Sequence, residues 1–257
     1  MAPDSGALSR HGRFSYEVRS TDTDRRDRLH LHALFSMMQE AAARHAEQLG
    51  FGAAQFDPQG IAWVLLRVSV RMDVFPSWKE HLAIETWPSA QDKLLGLRDF
   101  RFFREDGSQA GAATTSWLVV DAATRRPKRV PVEVDDAAGA GGPSAERSLH
   151  FDAPKIDVDP ALASATPTLR IACRESDIDR NRHVNNTRYI AWCLDALHAA
   201  GLGGDPVTGI DVNYLSELLI GDEADLFVAS PARGETLVEG RRGDGAAIFR
   251  ARILTSP

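Results

Sequence analysis

Apolar positions in the first half of the chain predict one long helix followed by an antiparallel sheet. From Leu31 to Leu49 apolar residues recur every three or four positions, which is the spacing of a single helix face, and Gly50 marks its end. Four later segments, rich in Val, Ile, Leu and aromatic residues, predict strands. These are residues 63–74, 81–87, 99–104 and 112–120, with Glu-Asp-Gly-Ser at 105–108 predicting the turn between the last two.

The same order of elements starts again after residue 168. Residues 135–168 are rich in Ala, Gly, Pro and Ser and show little periodicity, which favours a connection between domains. Beyond this segment the pattern predicts a strand, an amphipathic helix and then four more strands. The predicted elements are strand 169–173, helix 186–200 and strands 210–218, 224–230, 236–242 and 246–254, the last two joined by Gly243-Asp244-Gly245.

The two halves also align residue by residue. The segment RSTDTDRRDRLHLHALFSMMQEA, from Arg19, lies over RESDIDRNRHVNNTRYIAWCLDA, from Arg174, at an offset of 155 residues. Further on, VRMD at 70–73 lies over YLSE at 214–217. The sequence therefore predicts a tandem repeat of one α+β unit. We expect a first domain at 1–134, a linker at 135–168 and a second domain at 169–257.

Composition indicates a globular protein of the cytoplasm. Of 257 residues, 43% are hydrophobic and 26% are charged. The longest apolar stretch, Ile61 to Leu66, is far short of the roughly 20 residues of a membrane span, and the N-terminus lacks the apolar core of a secretory signal. The net charge of −6 argues against nucleic-acid binding. Cys173 and Cys193 are too few and too far apart for a disulfide framework, so we expect two reduced, partly buried thiols.

The densest polar cluster lies between the first strand and the helix of the second half. Asp179, Asn181 and His183 alternate in what we take to be an extended segment, so their side chains should point to one side. The helix N-terminus that follows favours developing negative charge. For Asn185 and Asn186 the simpler interpretation is that one of them caps the helix.

This cluster resembles the signature of a known family. SDIDRNRHVNNTRYI, from Ser176 to Ile190, is similar to the signature of acyl-acyl carrier protein (acyl-ACP) thioesterases. The resemblance implies two tandem hotdog domains, each a long helix wrapped by an antiparallel sheet, with a catalytic glutamate on a strand after the second helix. Glu217 stands at that place, in the segment NYLSEL. Plant members carry a Cys after the glutamate where this chain has Leu218, which favours direct attack by water.

The resemblance, together with thioester chemistry, gives each residue an expected role. Glu217 would be the general base, worth roughly 10²–10⁴-fold in rate. Asn181 would donate from its amide to the carbonyl oxygen, assisted by backbone N–H groups at the helix start near Asn185. His183 would orient the water or donate a proton toward sulfur. Asp179 would orient Asn181 or His183 by accepting a hydrogen bond.

The first half should lack a second site. Its counterparts of the four site residues are expected to be Asp24, Arg26, Arg28 and Asp73, so the amide and the imidazole are missing. One site per chain follows.

Substrate binding is assigned partly to the first half. Phe35, Met37 and Met38 on its long helix are candidates to line an apolar tunnel for the acyl tail, although methionines fill a plain core equally well. The resemblance points the same way, since the first domain of the family is thought to shape the chain pocket. Tyr214, in register with the family, is a further substrate-binding candidate.

Two basic segments are candidates for docking an acidic carrier protein. Arg180, Arg182 and Arg188 lie beside the site. The run at 125–129 is either a solvated turn or a second docking segment.

The predicted function is hydrolysis of fatty acyl-ACP, which releases free fatty acid and ends chain elongation in fatty-acid biosynthesis. An acyl-CoA thioesterase on the same fold and a non-enzymatic acyl-binding hotdog are the alternatives. The acyl carrier protein is the expected partner, with no nucleic acid and no membrane. No cofactor or metal is expected, because His30 and His32 have no third ligand near them. The chain is expected to be a monomeric pseudo-dimer or a homodimer.

Overall fold

The computed structural model describes residues 10–92, 94–131, 149, 152–163 and 166–256. Most of the predicted linker, 135–148 with 150–151 and 164–165, lies outside these residues. The first half contains β1 (Gly12–Glu17), α1 (Leu31–Gln48), α2 (Ala53–Phe56), β2 (Ile61–Met72), β3 (His81–Asp92), β4 (Leu95–Phe103), β5 (Gln109–Asp121) and β6 (Pro127–Lys128). The second half contains α3 (Pro160–Ala163), β7 (Leu169–Ala172), α4 (Asn186–Ala199), β8 (Val207–Tyr214), β9 (Glu223–Ala232), β10 (Glu235–Arg242) and β11 (Ala247–Thr255).

Contacts divide the chain into two compact units. The first is made of Met1–Leu29, Ser36–Leu65 and Val74–Asp152, and the second of His30–Phe35, Leu66–Asp73 and Ala153–Pro257. The start of α1 and the end of β2 therefore group with the second unit, unlike in the predicted division of the chain. The reason for β2 is its pairing with β8, which runs from Arg67 opposite Asn213 to Arg71 opposite Gly209.

The first unit is an antiparallel sheet with the strand order β1-β3-β4-β5-β2, and the short β6 pairs with β5. The helix α1 buries the apolar face that its spacing predicted, including Met38, Ala41 and Ala42. Burial of a large apolar side chain such as Met38 contributes about 1.5–3 kcal/mol. The β4–β5 hairpin turns at Gly107, which has a φ of 82° that favours glycine.

The second unit is an antiparallel sheet with the order β2-β8-β11-β10-β9-β7. The helix α4 buries Ile190, Cys193 and Leu197, as the apolar spacing predicted. The strand β8 is also held by a buried carboxylate, because Asp211 accepts hydrogen bonds from Arg252, Arg71 and Ser69. A buried charge is tolerated when it is paired in this way.

Candidate active site

The polar cluster of the second unit forms a tight turn. In this turn, residues 178–184, here called the site turn, the N–H of Asp179 donates to the carbonyl of His183 at 2.9 Å. The N–H of Arg182 donates to the carbonyl of Asp179 at 2.9 Å, and Arg182 has a φ of 66°. The predicted extended segment is therefore wrong. Asp179 and His183 lie opposite each other at the open end of the turn.

The carboxylate of Asp179 holds the turn closed. Its Oδ1 accepts the backbone N–H of Asn181 at 2.8 Å, the pattern of an Asx turn. The side chain of Asn181 is exposed at the tip of the turn. Asp179 therefore contacts the backbone N–H of Asn181 and not its side-chain amide. This hydrogen bond helps to fix the turn that carries His183.

The site turn brings His183 to Glu217. The N–H of Val184 donates to the carbonyl of Leu218 at 2.8 Å, which joins the residue after the histidine to the residue after the glutamate. His183 Nε2 then lies 3.0 Å from Glu217 Oε2, with the two side chains 24% and 48% exposed. An imidazole and a carboxylate in contact at a solvent-accessible position can exchange protons with a substrate.

Glu217 lies in a loop and not on a strand, so the last four residues of the predicted strand 210–218 were wrong. The strand β8 ends at Tyr214. The N–H groups of Leu215 and Ser216 both donate to the one carbonyl of Ile248, at 2.8 and 3.0 Å, and this breaks the regular ladder. The glutamate is therefore carried by a short irregular segment.

The start of α4 is capped by Asn185, one of the two predicted caps. Its Oδ1 accepts the N–H of Thr187 at 2.9 Å. The N–H of Asn185 donates to Asp177, and the N–H of Arg188 donates to the carbonyl of Asn185. Because these three N–H groups donate inside the protein, the expected backbone contribution to an oxyanion hole does not come from them. The predicted donor role of the Asn181 amide stays a prediction.

An aromatic cluster surrounds Tyr189, near the start of α4. Tyr189 of α4 packs edge-to-face on Trp192, Tyr214 and Phe249 at centroid distances of 5.2, 5.8 and 5.3 Å. The hydroxyl of Tyr214 donates to the carbonyl of Asn186 at 3.2 Å, so this tyrosine supports the helix start. Its predicted role in substrate binding stays a prediction.

The first unit contains the same turn. In this turn, residues 23–29, here called the first-copy turn, the N–H of Asp24 donates to the carbonyl of Arg28 at 2.7 Å. Asp24 Oδ1 accepts the N–H groups of Arg26 and Arg28 at 2.8 and 3.0 Å, and its Oδ2 pairs with the Arg28 guanidinium at 3.2 Å. Burial acts to raise the pKa of Asp24, but the two N–H groups and the Arg28 charge hold it below its usual value. The repeat therefore extends to individual hydrogen bonds.

Hydrogen bonding also corrects the predicted match between Asp73 and Glu217. The N–H of Leu29 donates to the carbonyl of Pro76 at 2.8 Å, as Val184 does to Leu218. Pro76 thus corresponds to Leu218, and the residue before it, Phe75, takes the place of Glu217. The first copy therefore lacks both groups: it has Phe75 in place of the glutamate and Arg28 in place of the histidine.

The three arginines beside the site differ in their surroundings. Arg188 Nε donates to Asp177 at 2.7 Å, and this carboxylate is only 5% exposed, so Arg188 is held in a structural ion pair. Arg180 and Arg182 are exposed on the site turn.

The basic segment at 125–129 lies in the first unit and forms an ordered, exposed turn. The N–H of Arg125 donates to the carbonyl of Asp121, and Lys128 pairs with the Asp121 carboxylate at 3.1 Å. The N–H of Thr124, followed by Lys128, lowers the pKa of Asp121 to about 2.

The remaining candidates from the sequence, for the acyl-chain pocket and for a metal ion, lie on or next to α1. Phe35, Met37 and Met38 are buried on α1. The rings of His30 and His32 lie 4.7 Å apart. Within the described part of the chain, no three His, Cys, Asp or Glu residues cluster as a metal ion requires, and no helix is long and apolar enough to span a membrane.

Both cysteines are free and buried. Burial, followed by Asp222 and Asp177, raises the pKa of Cys173 to about 11, and burial likewise raises the pKa of Cys193. Neither thiol has the lowered pKa of a nucleophilic cysteine.

The sequence did not predict an exposed apolar patch beside Glu217. Leu215, Leu219 and Ile220 are each about half exposed or more in the loop after β8. The available signal was the apolar run that continues past the end of the strand, in LSELLIGD.

Comparison with known proteins gives matches along most of the chain. The family model of the acyl-ACP thioesterase N-terminal domain matches residues 11–137, and that of the C-terminal domain matches residues 163–247. The chain is 27% identical to an oleoyl-acyl carrier protein thioesterase 2, chloroplastic, of Arabidopsis thaliana, covering 90% of this chain and 67% of that protein. It is 26% identical to a palmitoyl-acyl carrier protein thioesterase, chloroplastic, of Gossypium hirsutum, covering 95% and 63%. The chain thus spans about two thirds of the length of these plant proteins.

Solved structures show the fold. An acyl-ACP thioesterase from Bacteroides thetaiotaomicron superposes with a TM-score of 0.87 at 24% identity, covering 96% of this chain and 98% of that one. A 12:0-ACP thioesterase from Umbellularia californica gives 0.81 at 22% identity, covering 98% and 99%. The predicted α+β class with two tandem hotdog domains is confirmed.

Proposed function

Since this chain belongs to the acyl-ACP thioesterase family, we propose that it hydrolyses the thioester of a fatty acyl-acyl carrier protein, releasing free fatty acid and ending chain elongation. The observation that carries the proposal is the contact of His183 with Glu217 at 3.0 Å. It supplies the proton-transfer groups that thioester hydrolysis needs, and the turn that carries His183 also carries the exposed amide of Asn181.

The reaction can be written with these residues. Water attacks the carbonyl carbon of the thioester, the carbon–sulfur bond breaks, and the products are a carboxylic acid and the carrier thiol. Glu217 takes a proton from the attacking water, and His183 passes it to the departing sulfur. Asn181 donates to the carbonyl oxygen as negative charge develops on it. Asp179 keeps the site turn closed and so fixes the segment that carries Asn181 and His183.

The test is turnover of a purified acyl-ACP, followed as free thiol. Glu217→Gln keeps the shape of the side chain but cannot take a proton, so we expect kcat to fall by at least ~10²-fold with the fold intact. Arg28→Ala is the matched control, because Arg28 is the counterpart of His183 in the first-copy turn, and its turnover should stay near normal. Near-normal turnover in Glu217→Gln would refute the assignment.

We also propose the surface that binds the carrier. Arg180 and Arg182 are exposed on the site turn, and the apolar patch of Leu215, Leu219 and Ile220 is exposed on the loop of Glu217. Because His183 contacts Glu217, the turn and the loop are neighbours. His183 and Glu217 are thus bordered by two positive charges and by exposed aliphatic side chains. This local positive charge stands out because the whole chain has a net charge of −6. An acidic carrier protein that presents an acyl thioester has the complementary charge.

Charge reversal separates docking from chemistry. Arg180→Glu with Arg182→Glu should raise KM for acyl-ACP and leave KM for a small acyl thioester unchanged, and added salt should have the same effect on the unmodified protein. Reversal of Arg126 and Arg129 is the comparison for the 125–129 turn. Equal effects on carrier-bound and small substrates would argue against docking at the site turn. Turnover of acyl-CoA as efficient as that of acyl-ACP would favour the acyl-CoA alternative.

A further inference from the structure

The site turn and the loop of Glu217 are each anchored to the first turn of α4. The site turn follows Asp177, whose Oδ1 accepts a hydrogen bond from Arg188 Nε at 2.7 Å. The loop follows Tyr214, whose hydroxyl donates to the carbonyl of Asn186 at 3.2 Å. Asn186 and Arg188 are the first and third residues of α4. The start of the helix therefore holds the residue immediately before each segment.

Asp177 forms a fixed base for the site turn. Its side chain is only 5% exposed, and its Oδ2 accepts the N–H of Arg174 at 3.0 Å. Its carbonyl accepts the N–H of Asn185 at 2.9 Å. Because Asp177 and Asn185 flank the turn at its two ends, this bond closes the turn at its base. The ion pair with Arg188 joins that base to α4.

Tyr214 anchors the loop on the same helix. It is the last residue of β8, and its ring packs edge-to-face on Tyr189 of α4 at a centroid distance of 5.8 Å. Burial raises the pKa of Tyr214, so its hydroxyl keeps the proton that it donates. Glu217 follows Tyr214 closely along the chain, so an anchor at the tyrosine limits where the carboxylate can lie.

The first copy has the same two segments without these anchoring side chains. The offset of 155 residues places Ala33 at the position of Arg188. Met72 ends β2 as Tyr214 ends β8. Alanine has no guanidinium, and methionine has no hydroxyl to donate. Both groups are therefore missing from the copy that also lacks the histidine and the glutamate.

The buried aspartate itself is kept in the first copy. Asp22, the counterpart of Asp177, has a side chain 7% exposed, and it pairs with Arg19 at 2.8 Å. Arg19 and Asp22 both precede α1, so this pair does not join the first-copy turn to its helix. In the second copy the cation comes from the helix instead. The two copies thus differ in which segment the ion pair joins.

We propose that Arg188 and Tyr214 are positioning residues, which hold the site turn and the glutamate loop on the start of α4 so that His183 meets Glu217. The inference rests on the proposed function for its kinetic consequences and on the two hydrogen bonds to α4 for its geometry. In this role neither side chain touches the reacting atoms. Arg188, a sequence candidate for carrier docking, therefore acts on kcat and not on KM.

Three variants test the role. Tyr214→Phe removes the hydroxyl and keeps the ring, and Arg188→Ala gives the second copy the residue that the first copy has. For each we expect kcat on acyl-ACP to fall about tenfold with KM within about twofold, since a small displacement of a catalytic group is costly. Arg188→Lys keeps a positive charge for Asp177 and should lower kcat by less than about threefold.

Arg19→Ala is the matched control, because it breaks the corresponding ion pair on Asp22. It should lower the melting temperature and leave kcat within about twofold of the unmodified protein. If Arg19→Ala lost as much kcat as Arg188→Ala, the losses would reflect stability and the proposal would be overturned. Near-normal kcat in Tyr214→Phe would overturn it as well, and this variant decides the matter should Arg188→Ala fail to fold.

A measurement without substrate separates this proposal from the proposed function. The NMR signals of the His183 ring report its contact with Glu217 whether or not a thioester is turned over. Arg188→Ala and Tyr214→Phe should each move these signals toward their positions in Glu217→Gln, whereas Arg19→Ala should leave them in place. Signals that stay in place in the first two variants would contradict the positioning role, while lack of turnover in the unmodified protein would contradict the proposed function alone.

Discussion

We predict that two variants, Asp179→Ala and Asp24→Ala, differ in opposite ways. Asp24→Ala should lose more stability, whereas Asp179→Ala should lose more activity. Each aspartate closes the turn of its own copy. Asp179 accepts one N–H at 2.8 Å, whereas Asp24 accepts two, at 2.8 and 3.0 Å, and also pairs with Arg28 at 3.2 Å. Loss of an Asx or capping aspartate costs roughly 0.5–2 kcal/mol. We therefore expect Asp179→Ala to lower the free energy of unfolding by about 1 kcal/mol.

Asp24→Ala should cost more, about 2–3 kcal/mol. The second N–H adds about 1 kcal/mol, and the partly exposed ion pair adds less than that. The cost should also depend on pH. The pKa of Asp24 lies below its usual value of 3.8 in the folded protein, so its stabilising effect is full above that value and is lost as the pH falls below it. The difference in free energy of unfolding between the unmodified protein and Asp24→Ala should therefore shrink as the pH falls below the folded-state pKa of Asp24.

Activity should follow the other order. Asp179→Ala loosens the turn that presents His183, and we expect kcat on acyl-ACP to fall at least tenfold. Asp24→Ala should change kcat by less than about twofold, because the first-copy turn carries neither histidine nor glutamate beside it. Denaturant unfolding and thiol release on the same samples give both numbers. If Asp24→Ala were the less stable and also the less active variant, activity would simply track stability and the assigned role of Asp179 would be wrong.

Two further predictions concern substrate length and the site arginines. Met37 and Met38 are buried on α1, and replacing each by Ala and by Trp should shift chain-length preference by roughly tenfold for two carbons, at about 0.8 kcal/mol per methylene. If no folded variant changes the ranking among C8 to C18 acyl-ACP substrates, these residues are plain core. Arg188→Glu should lower the free energy of unfolding by about 2–4 kcal/mol because it leaves the buried carboxylate of Asp177 without its partner. Arg180→Glu, on the exposed turn, should cost less than about 0.5 kcal/mol, and equal costs in denaturant unfolding would contradict this structural role.

Elements with a strong apolar period could be predicted from sequence. The predicted helix 31–49 is α1, Leu31–Gln48, and the predicted helix 186–200 is α4, Asn186–Ala199. These segments are long and amphipathic, so the spacing of their apolar residues is enough to identify them as helices. The strand β1, Gly12–Glu17, was not predicted because it has only six residues. Its pairing with β3 determines its structure, and a single sequence does not show that partner.

Residue types in the sequence were enough to propose the candidate site but not to predict its geometry. Alternating polar residues fit an extended segment and a closed turn equally well, and the turn depends on a left-handed Arg182, which has no glycine-like signal. The counterpart of Glu217 was misplaced by two residues because the strand residues themselves were matched out of step. The ends of β2 and β8, at Met72 and Tyr214, and the hydrogen-bonded carbonyls of Pro76 and Leu218 agree on the correct match.

The duplication separates the scaffold of the site from its chemistry. Both copies close the same turn with an aspartate and tie it to the following loop through one amide–carbonyl bond, so the turn does not depend on His183 or Glu217 for its formation. The first copy differs from the second at the histidine, where it has Arg28, and at the glutamate, where it has Phe75. A single Arg28→His change in the first-copy turn would therefore supply an imidazole without a carboxylate to meet it. We expect activity in this fold to require both a turn that carries a histidine and a following loop that carries a glutamate, and among the described residues the second unit supplies both.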